Sequence, residues 1–360
     1  MSSDRPTLDT VALAAGVSRM TVSNAYNRPD QLSAATRERV LAVAHELGYS
    51  GPDPAGRSLR RRRVGAVGVL LTEQLAYAFT DPGLTSFLSG LASELGAAGQ
   101  AVLLVPAEAD RDGALVRGAI VDAFIVCSMD ARDPTVAAVQ ARRLPMVTAG
   151  HPRLPGVPFV GIDNRRSGAL AAEHLLGLGH QRFGVVTLPG REPAGPTDRA
   201  VPVRIGIRER TDGFRQALRS AGVPEGAVTS ARADANSSEA GEQAARLLLD
   251  RPVTERPTAV FAVTDVLALG VLAAAAALKV LVPQHLSVVG FDDIAAARHS
   301  DPALTTVSQS LADQGRQVAR LTLGLIAGEQ VRSPRIDADL VVRDSTAPAP
   351  APAPPAVSGG

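Results

Sequence analysis

Arg19, Met20, Thr21, Ser23, Asn24 and Asn27 lie within nine residues of one another and line the outer face of one short predicted helix. Their guanidinium, hydroxyl and amide groups can meet base edges and phosphate oxygens, which is the chemistry of a major-groove reader. Ser18 precedes them as an N-cap, its hydroxyl accepting from an otherwise orphaned N–H of the first turn. The stretch from Thr7 to Ala15 predicts an earlier helix that ends at Gly16, where a left-handed turn favours a residue without Cβ. Val11, Ala12, Ala15, Val17 and Val22 are spaced to meet between the two helices. A third helix is expected from Ser33 as N-cap to Gly48, with Val40, Leu41, Ala44 and Leu47 as its apolar stripe. The pattern is a helix-turn-helix.

The next segment adds cationic chemistry. Asp53 as N-cap and Pro54 at the first helical position predict a helix too short to be stable alone. Leu59 ends it, and Arg57 and Arg60 to Arg63 form a patch suited to phosphates. Residues 1–63 carry 10 Lys+Arg against 6 Asp+Glu, and the remaining residues carry 27 against 30, so a chain of net charge +1 is a basic head on an acidic body. A basic module of this kind binds a polyanion.

From Val64 onward, short β-rich runs alternate with helical stretches, the pattern of parallel sheets with crossover helices. The expected strands are Val64–Leu71, Ala101–Pro106, Val121–Cys127, Pro145–Thr148 and Phe159–Ile162. A second round follows with Arg182–Leu188, Ala227–Ala233, Thr258–Val263 and Leu286–Phe291. Helices are expected at Asp212–Ala221, Glu239–Leu249 and Asp265–Leu278. Two such rounds predict two α/β lobes, with Asp301–Gln309 and a helix Leu311–Ala327 returning to the first. In open sheets of this type, ligands bind beyond the carboxyl ends of the strands.

Several chemistries are excluded or disfavoured. No Walker loop, dinucleotide glycine fingerprint, Gly-x-Ser-x-Gly elbow or metal-spaced His/Glu pair occurs, so no catalytic residue, metal ligand or cofactor is assigned. Asp292 and Asp293 are adjacent, and strand neighbours face opposite ways. The single cysteine, Cys127, cannot form an intramolecular disulfide or a cysteine zinc cluster. The alanine-rich run Val266–Val282 contains Lys279 and is shorter than the roughly 20 residues of a membrane span, so it reads as a buried helix. No charged-then-apolar leader opens the chain. A cytoplasmic, nucleoid-associated protein is expected.

The order of motifs is specific. Thr7 to Tyr49, followed by Pro54–Arg60, resembles the headpiece and hinge of the lactose-repressor (LacI/GalR) family. In the body, Val160–Asn164, Ala172–His180, Arg210–Phe214, Thr264–Gly270, Ser287–Asp293 and Pro302–Gln309 follow the family's order, so the resemblance covers about residues 7–345. It implies that Arg19, Met20 and Asn24 face base edges while Ser18, Thr21, Ser23 and Asn27 hold phosphates. Leu59, flanked by Arg57 and Arg60, corresponds to a minor-groove wedge, although Tyr49–Leu59 is one residue longer here than in the lactose repressor. For the body, the resemblance implies a fold like a periplasmic sugar-binding protein. It points to Arg210 and Asp292 as effector contacts, with Thr264 where many relatives carry asparagine. Phe79, Asp81 and Gln309 are further candidates. Asp265 reads as the N-cap of its helix, and His174 and His180 as packing and helix-end residues.

The expected organisation is therefore an all-α helix-turn-helix headpiece (1–50), a linker and hinge helix (51–63), and a two-lobed α/β effector and dimerisation domain (64–346). One lobe is expected to comprise 64–179 with 307–338 and the other 180–306. An Ala/Pro-rich tail (347–360) is expected to be disordered. The expected function is regulation of transcription, of the repressor type, by a homodimer on a pseudo-palindromic DNA operator. A small-molecule effector, with sugars as the default class, is expected to control it. The alternative is a regulator whose body has lost small-molecule control or answers a protein partner. Only 3% of residues are aromatic and none is tryptophan, which leaves few platforms for stacking a sugar ring.

Overall fold

The computed structural model describes residues 6–51, 63–72, 75–107, 112–188 and 205–351. They form two compact units that meet in sequence at Gly65. The hinge residues Leu59, Arg57 and Arg60, the helix expected from Asp53 and the 190–204 insertion lie outside the described residues.

In the first unit, α1 (Leu8–Ala15), α2 (Arg19–Asn27) and α3 (Ala34–Glu46) enclose a core of Val11, Ala12, Ala15, Val22, Ala25, Val40 and Ala44. Gly16 ends α1 at φ 65°, as its position predicts. Ser18 and Ser33 accept from the backbone N–H groups of Thr21 and Thr36, which makes both the expected N-caps. Small residues permit the close crossing, and Tyr26 and Tyr49 seal its edge with rings 6.0 Å apart. Two residues of the expected α3 stripe, Leu41 and Leu47, are not among those packed on this core. Leu47 lies beyond α3 and is 39% exposed, while Val43 packs on the core instead.

The second unit begins with β1 (Ala66–Leu71), then α4 (Leu75–Ala78), α5 (Pro82–Ala97), β2 (Ala101–Pro106) and α6 (Ala114–Gly118). The first lobe continues through β3 (Ala123–Cys127), α7 (Pro134–Ala141), β4 (Met146–Ala149) and β5 (Phe159–Val160). Its five described strands are parallel in the order β2-β1-β3-β4-β5.

The second lobe contains α8 (Asn164–Gly177), β6 (Phe183–Thr187), α9 (Ile205–Ser220), β7 (Val228–Arg232) and α10 (Ser238–Leu249). After these come β8 (Ala259–Ala262), α11 (Asp265–Ala277), β9 (Ser287–Asp292), α12 (Ala295–His299) and β10 (Thr305–Ser308). Helix α13 (Leu311–Ala327) returns to pack on α5 of the first lobe, and β11 (Asp339–Val341) adds an antiparallel edge to the second sheet. That sheet runs β11-β10-β9-β8-β6-β7. The run expected to be a buried helix is α11, and no described helix is long and apolar enough to cross a membrane.

Helix α9 begins at Ile205, seven residues before the expected Asp212, which places Arg210 within it. Three domain boundaries also differ from expectation. Helix α8 belongs to the second lobe because its apolar face, Ala171, Ala172 and Leu175, is buried in that lobe's core. Strand β10 also stays with the second sheet, paired in parallel with β9, so the return to the first lobe starts only at α13. The start of the expected tail is anchored. The Ala347 carbonyl is 3.2 Å from both His180 Nε2 and Ser287 Oγ, and the Ala349 N–H donates to the Leu178 carbonyl. His180 and His174 are thus packing residues, with His174 bonded to Thr346 and burial holding both imidazoles below their usual pKa.

Paired glycines set the helix spacing. A Cβ on Gly168 of α8 would lie 2.0 Å from the Arg210 carbonyl oxygen, and one on Gly213 of α9 would lie 1.9 Å from that of Arg165. Gly90 and Gly315 do the same between α5 and α13, as do Gly241 and Gly270 between α10 and α11. Backbones approach this closely only where side chains are absent.

Candidate functional site

Two surfaces carry polar chemistry, one on each unit. On the headpiece, Met20 is 73% exposed on α2 and Arg19 lies beside it, 3.6 Å from Asp9 across exposed solvent. So exposed a pair contributes little stability, and the guanidinium can exchange Asp9 for another anion or acceptor. The Ser18 and Thr21 hydroxyls are 2.9 Å apart at the amino end of α2, where the helix dipole favours an anion. Asn27 donates to the Ser23 carbonyl at 2.9 Å, holding the far end of the helix. Asn24 is half-buried on the same helix. The seven residues expected to read DNA therefore belong to one helix and its cap.

In the body, the two sheets direct their carboxyl ends into a cavity of about 220 Å³ between the lobes. Arg210, on α9, is its central group. It donates through Nε to Asn164 Oδ1 at 3.0 Å, and through one terminal nitrogen to the Val263 carbonyl at 3.0 Å and to Asp292 Oδ1 at 3.2 Å. The Phe291 ring lies 3.7 Å beneath its guanidinium carbon. Such a guanidinium is held by charge-assisted bonds and a ring face together.

Asp292 ends β9 in a left-handed conformation, φ 116°, and Asp293 follows at φ 55°. Such conformations cost a non-glycine residue about 1–3 kcal/mol each and persist where surrounding bonds fix them. They turn the two carboxylates apart. Asp292 accepts from Arg210 and Gln309, whereas Asp293 accepts from Arg343 and Arg298. Burial pushes the Asp292 carboxyl up to about 6, with Arg210 and Gln309 opposing and the like charge of Asp81 adding to it. Gln314 on α13 donates to the Gln309 carbonyl and fixes that residue in turn.

A second network joins the lobes. Asp81 caps α5 by accepting from the Leu84 N–H at 2.7 Å. Its other oxygen accepts from the Tyr77 hydroxyl at 2.6 Å and from Asn236 Nδ2 at 2.8 Å. Asn236, in the second lobe, accepts from the Thr264 hydroxyl at 2.7 Å. Thr264 is itself the N-cap of α11, which corrects the expectation that Asp265 would be. Asp265 is instead buried and accepts from the Ile294 N–H and the Thr306 hydroxyl; burial and the nearby Asp292 push it up to about 7.

Arg210, Asp292, Thr264, Asp81 and Gln309 thus line one cavity. Phe79 does not line it. It is 71% exposed, and Tyr77, two residues earlier, fills the inward position. Sequence reasoning also missed Asn164, Asn236, Gln314 and His151. Asn164 sits inside a quoted motif, and Asn236 follows β7, where the strand-end rule could have found it. His151 Nε2 is 3.3 Å from Glu209 Oε2 across the lobes, and burial lowers its pKa against the pull of Glu209. Among the described residues no group of His, Cys, Asp and Glu is arranged to hold a metal.

A helix-turn-helix unit joined to a two-lobed α/β domain is the architecture of a DNA-binding regulator of transcription. Residues 7–51 match the model of bacterial regulatory proteins of the lacI family, and residues 172–346 match a periplasmic binding protein-like domain. An HTH-type transcriptional regulator of Mycolicibacterium smegmatis is 40% identical over 332 residues, 88% of this chain and 90% of that one. The transcriptional repressor CytR of Escherichia coli K12 is 34% identical over 352 residues, 94% and 96% of the two chains. The solved complex of the regulator CelR with cellobiose is 33% identical, covers 95% of this chain and 100% of that one, and superposes with a TM-score of 0.65. The chain belongs to the LacI family of bacterial transcriptional regulators. It is a DNA-binding regulator and not an enzyme.

Proposed function

We propose that the protein acts as a homodimeric repressor of the cytoplasm and nucleoid. It binds a pseudo-palindromic operator through two headpieces, and an effector in the interlobe cavity releases or tightens that grip. Arg19, Met20 and Asn24 contact base edges, while Ser18, Thr21, Ser23 and Asn27 hold phosphates. Leu59 of each copy wedges into the minor groove at the operator centre, flanked by Arg57 and Arg60. Arg210, Asp292, Thr264, Asp81 and Gln309 receive the effector.

The observation that carries this reading is the cavity, where Arg210 and Asp292 are held in fixed geometry between two lobes that cross-bond through Asp81 and Asn236. A ligand that prefers one lobe arrangement shifts the population toward it, and by linkage the operator changes ligand affinity by the same factor. A sugar-bound relative supports a sugar as the default effector. Coupling of about 1–3 kcal/mol, typical of such systems, would change operator affinity about 5- to 150-fold.

The test is binding of the purified protein to a genomic fragment library at moderate salt, with and without a panel of sugars and nucleosides. Enrichment of one palindromic site, altered by one compound, is the expected result. A site indifferent to every compound would instead support a body that answers a protein partner or no ligand. Failure to select any site, with or without compounds, would reject the headpiece reading.

A further inference from the structure

Arg19 is the first residue of α2, and its Nε lies 3.6 Å from Oδ1 of Asp9, the second residue of α1. Among the described residues neither side chain has another hydrogen-bond or ion-pair partner, so the two terminal nitrogens of the guanidinium are uncommitted. The hydroxyls of Ser18 and Thr21, before and after Arg19, bond each other at 2.9 Å rather than the arginine.

Asp9 is the only carboxylate on α1 and α2. An acid beside the reading helix repels phosphates and weakens binding to every DNA sequence alike. The amino end of α1 favours an acid through the helix dipole, but that benefit needs no arginine opposite it. Capping does not need Asp9 either, because Thr7 and Thr10 bond each other reciprocally there. What Asp9 adds is an anchor for one edge of the guanidinium.

A guanidinium carries its donors in a fixed planar fork, with one paired edge made by Nε and a terminal nitrogen and another by the two terminal nitrogens. With Nε turned to Asp9, the terminal pair is the edge left for a base. Two parallel donors match two adjacent acceptors, and in the major groove guanine alone offers these, N7 beside O6. Adenine sets a donor beside its N7, while cytosine and thymine offer no such pair. In solvent the bond to Asp9 is weak and exchangeable. Where docking displaces water, the same two charges attract more strongly, and an anchored arginine has fewer orientations to give up.

We propose that Asp9 is a positioning residue for operator reading. It holds Nε of Arg19 so that the terminal nitrogens meet N7 and O6 of one guanine in each half-site, and its charge lowers affinity for all other DNA. This rests on the base contact proposed above for Arg19. Specificity then comes from repulsion of wrong sequences as well as from the contact to the right one.

The test uses the full-length protein and a duplex selected from a randomised library, with each base pair of one half-site replaced in turn. Affinities are read by fluorescence anisotropy for the natural protein, Arg19→Lys, Asp9→Asn, Asp9→Glu and the double variant of Arg19→Lys with Asp9→Asn. Arg19→Lys keeps the charge and loses the fork, so the pair at which it relaxes preference is the one that Arg19 reads. The natural protein is expected to prefer G·C there by about 5- to 150-fold. Asp9→Asn is expected to reduce that preference at least about threefold, to leave the other positions unchanged and to tighten binding to random duplex. Asp9→Glu is expected to retain more of the preference than Asp9→Asn, and Asp9→Asn to have no further effect on Arg19→Lys.

Unaltered preference in Asp9→Asn, or an equal loss on all sequences, would overturn the proposal while leaving the base contact of Arg19 intact. So would a base other than guanine at the pair that Arg19 reads. Relaxation by Asp9→Asn at a different pair, persisting in the double variant, would mean that Asp9 meets a base itself and would also overturn it. If Arg19→Lys relaxes no pair, the base contact and the proposal fall together. So exposed a pair contributes little to folding, so all variants are expected to melt as the natural protein does.

Discussion

Gly168→Ala tests whether the effector site depends on how closely two helices approach. The added Cβ would lie 2.0 Å from the carbonyl oxygen of Arg210, on the helix that carries the guanidinium. Ordinary C···O contacts are no closer than about 3.3 Å, so α9 must retreat by roughly 1.3 Å or its backbone must tilt. Overpacking of this kind costs typically 1–3 kcal/mol, and a backbone obstacle on both sides places the cost near the upper limit of about 3. Alanine recovers roughly 1 kcal/mol of helix propensity over glycine. The net loss is therefore about 2 kcal/mol, or roughly 3–4 °C in melting temperature for a body of this size. Displacing Arg210 by about an ångström stretches its bond to Asp292, now 3.2 Å, beyond a useful length. Effector affinity should fall at least about tenfold, measured by calorimetry at a temperature well below both melting points. A variant with unchanged melting temperature and unchanged effector affinity would refute the argument that the glycine contact positions the arginine.

Other substitutions probe the remaining groups. Arg210→Met leaves the Asp292 carboxylate buried without its cation, a loss of about 3–5 kcal/mol for a broken buried pair; chemical denaturation should show it, and effector-dependent release of operator should disappear. Asp265 has a folded pKa of about 7, above its unfolded value, so its contribution is fully present below the unfolded pKa and is lost as pH rises through 7. Denaturation midpoints of Asp265→Asn should accordingly fall less between pH 6 and 8 than those of the natural chain, and parallel profiles would contradict the assignment. Burial pushes the Cys127 thiol up to about 12, so a thiol reagent at about pH 8 should label it only after unfolding. Leu59→Ala should reduce binding to the selected operator far more than binding to random DNA, whereas equal losses would remove the wedge role.

The headpiece was legible because its information is local. Gly16 and the serines at 18 and 33 fix the ends of helices whose apolar spacing closes the core within about forty residues. Strand β2 at Ala101–Pro106 and helix α13 at Leu311–Ala327 were read to the residue, since period and boundary signals coincide there. Arg210, Asp292 and Gln309 were found by family order, and Asp292 stands where the strand-end rule places ligands.

Tertiary packing decided the rest. The lobe that receives α8 or β10 depends on which apolar surface buries Ala171 and Leu175, or on which strand pairs with Thr305–Ser308, and neither is encoded in local spacing. The choice of Tyr77 over Phe79 for the cavity depends on the pitch of a four-residue helix, which no periodicity resolves. Asp81 and Asn236 are 155 residues apart in sequence, and nothing in either segment foretells their bond. Sequence by itself determined the elements, the family and the residue types available for binding. Only the folded chain determined which of them face one another, because contact across a cleft follows from the packing of two separate cores.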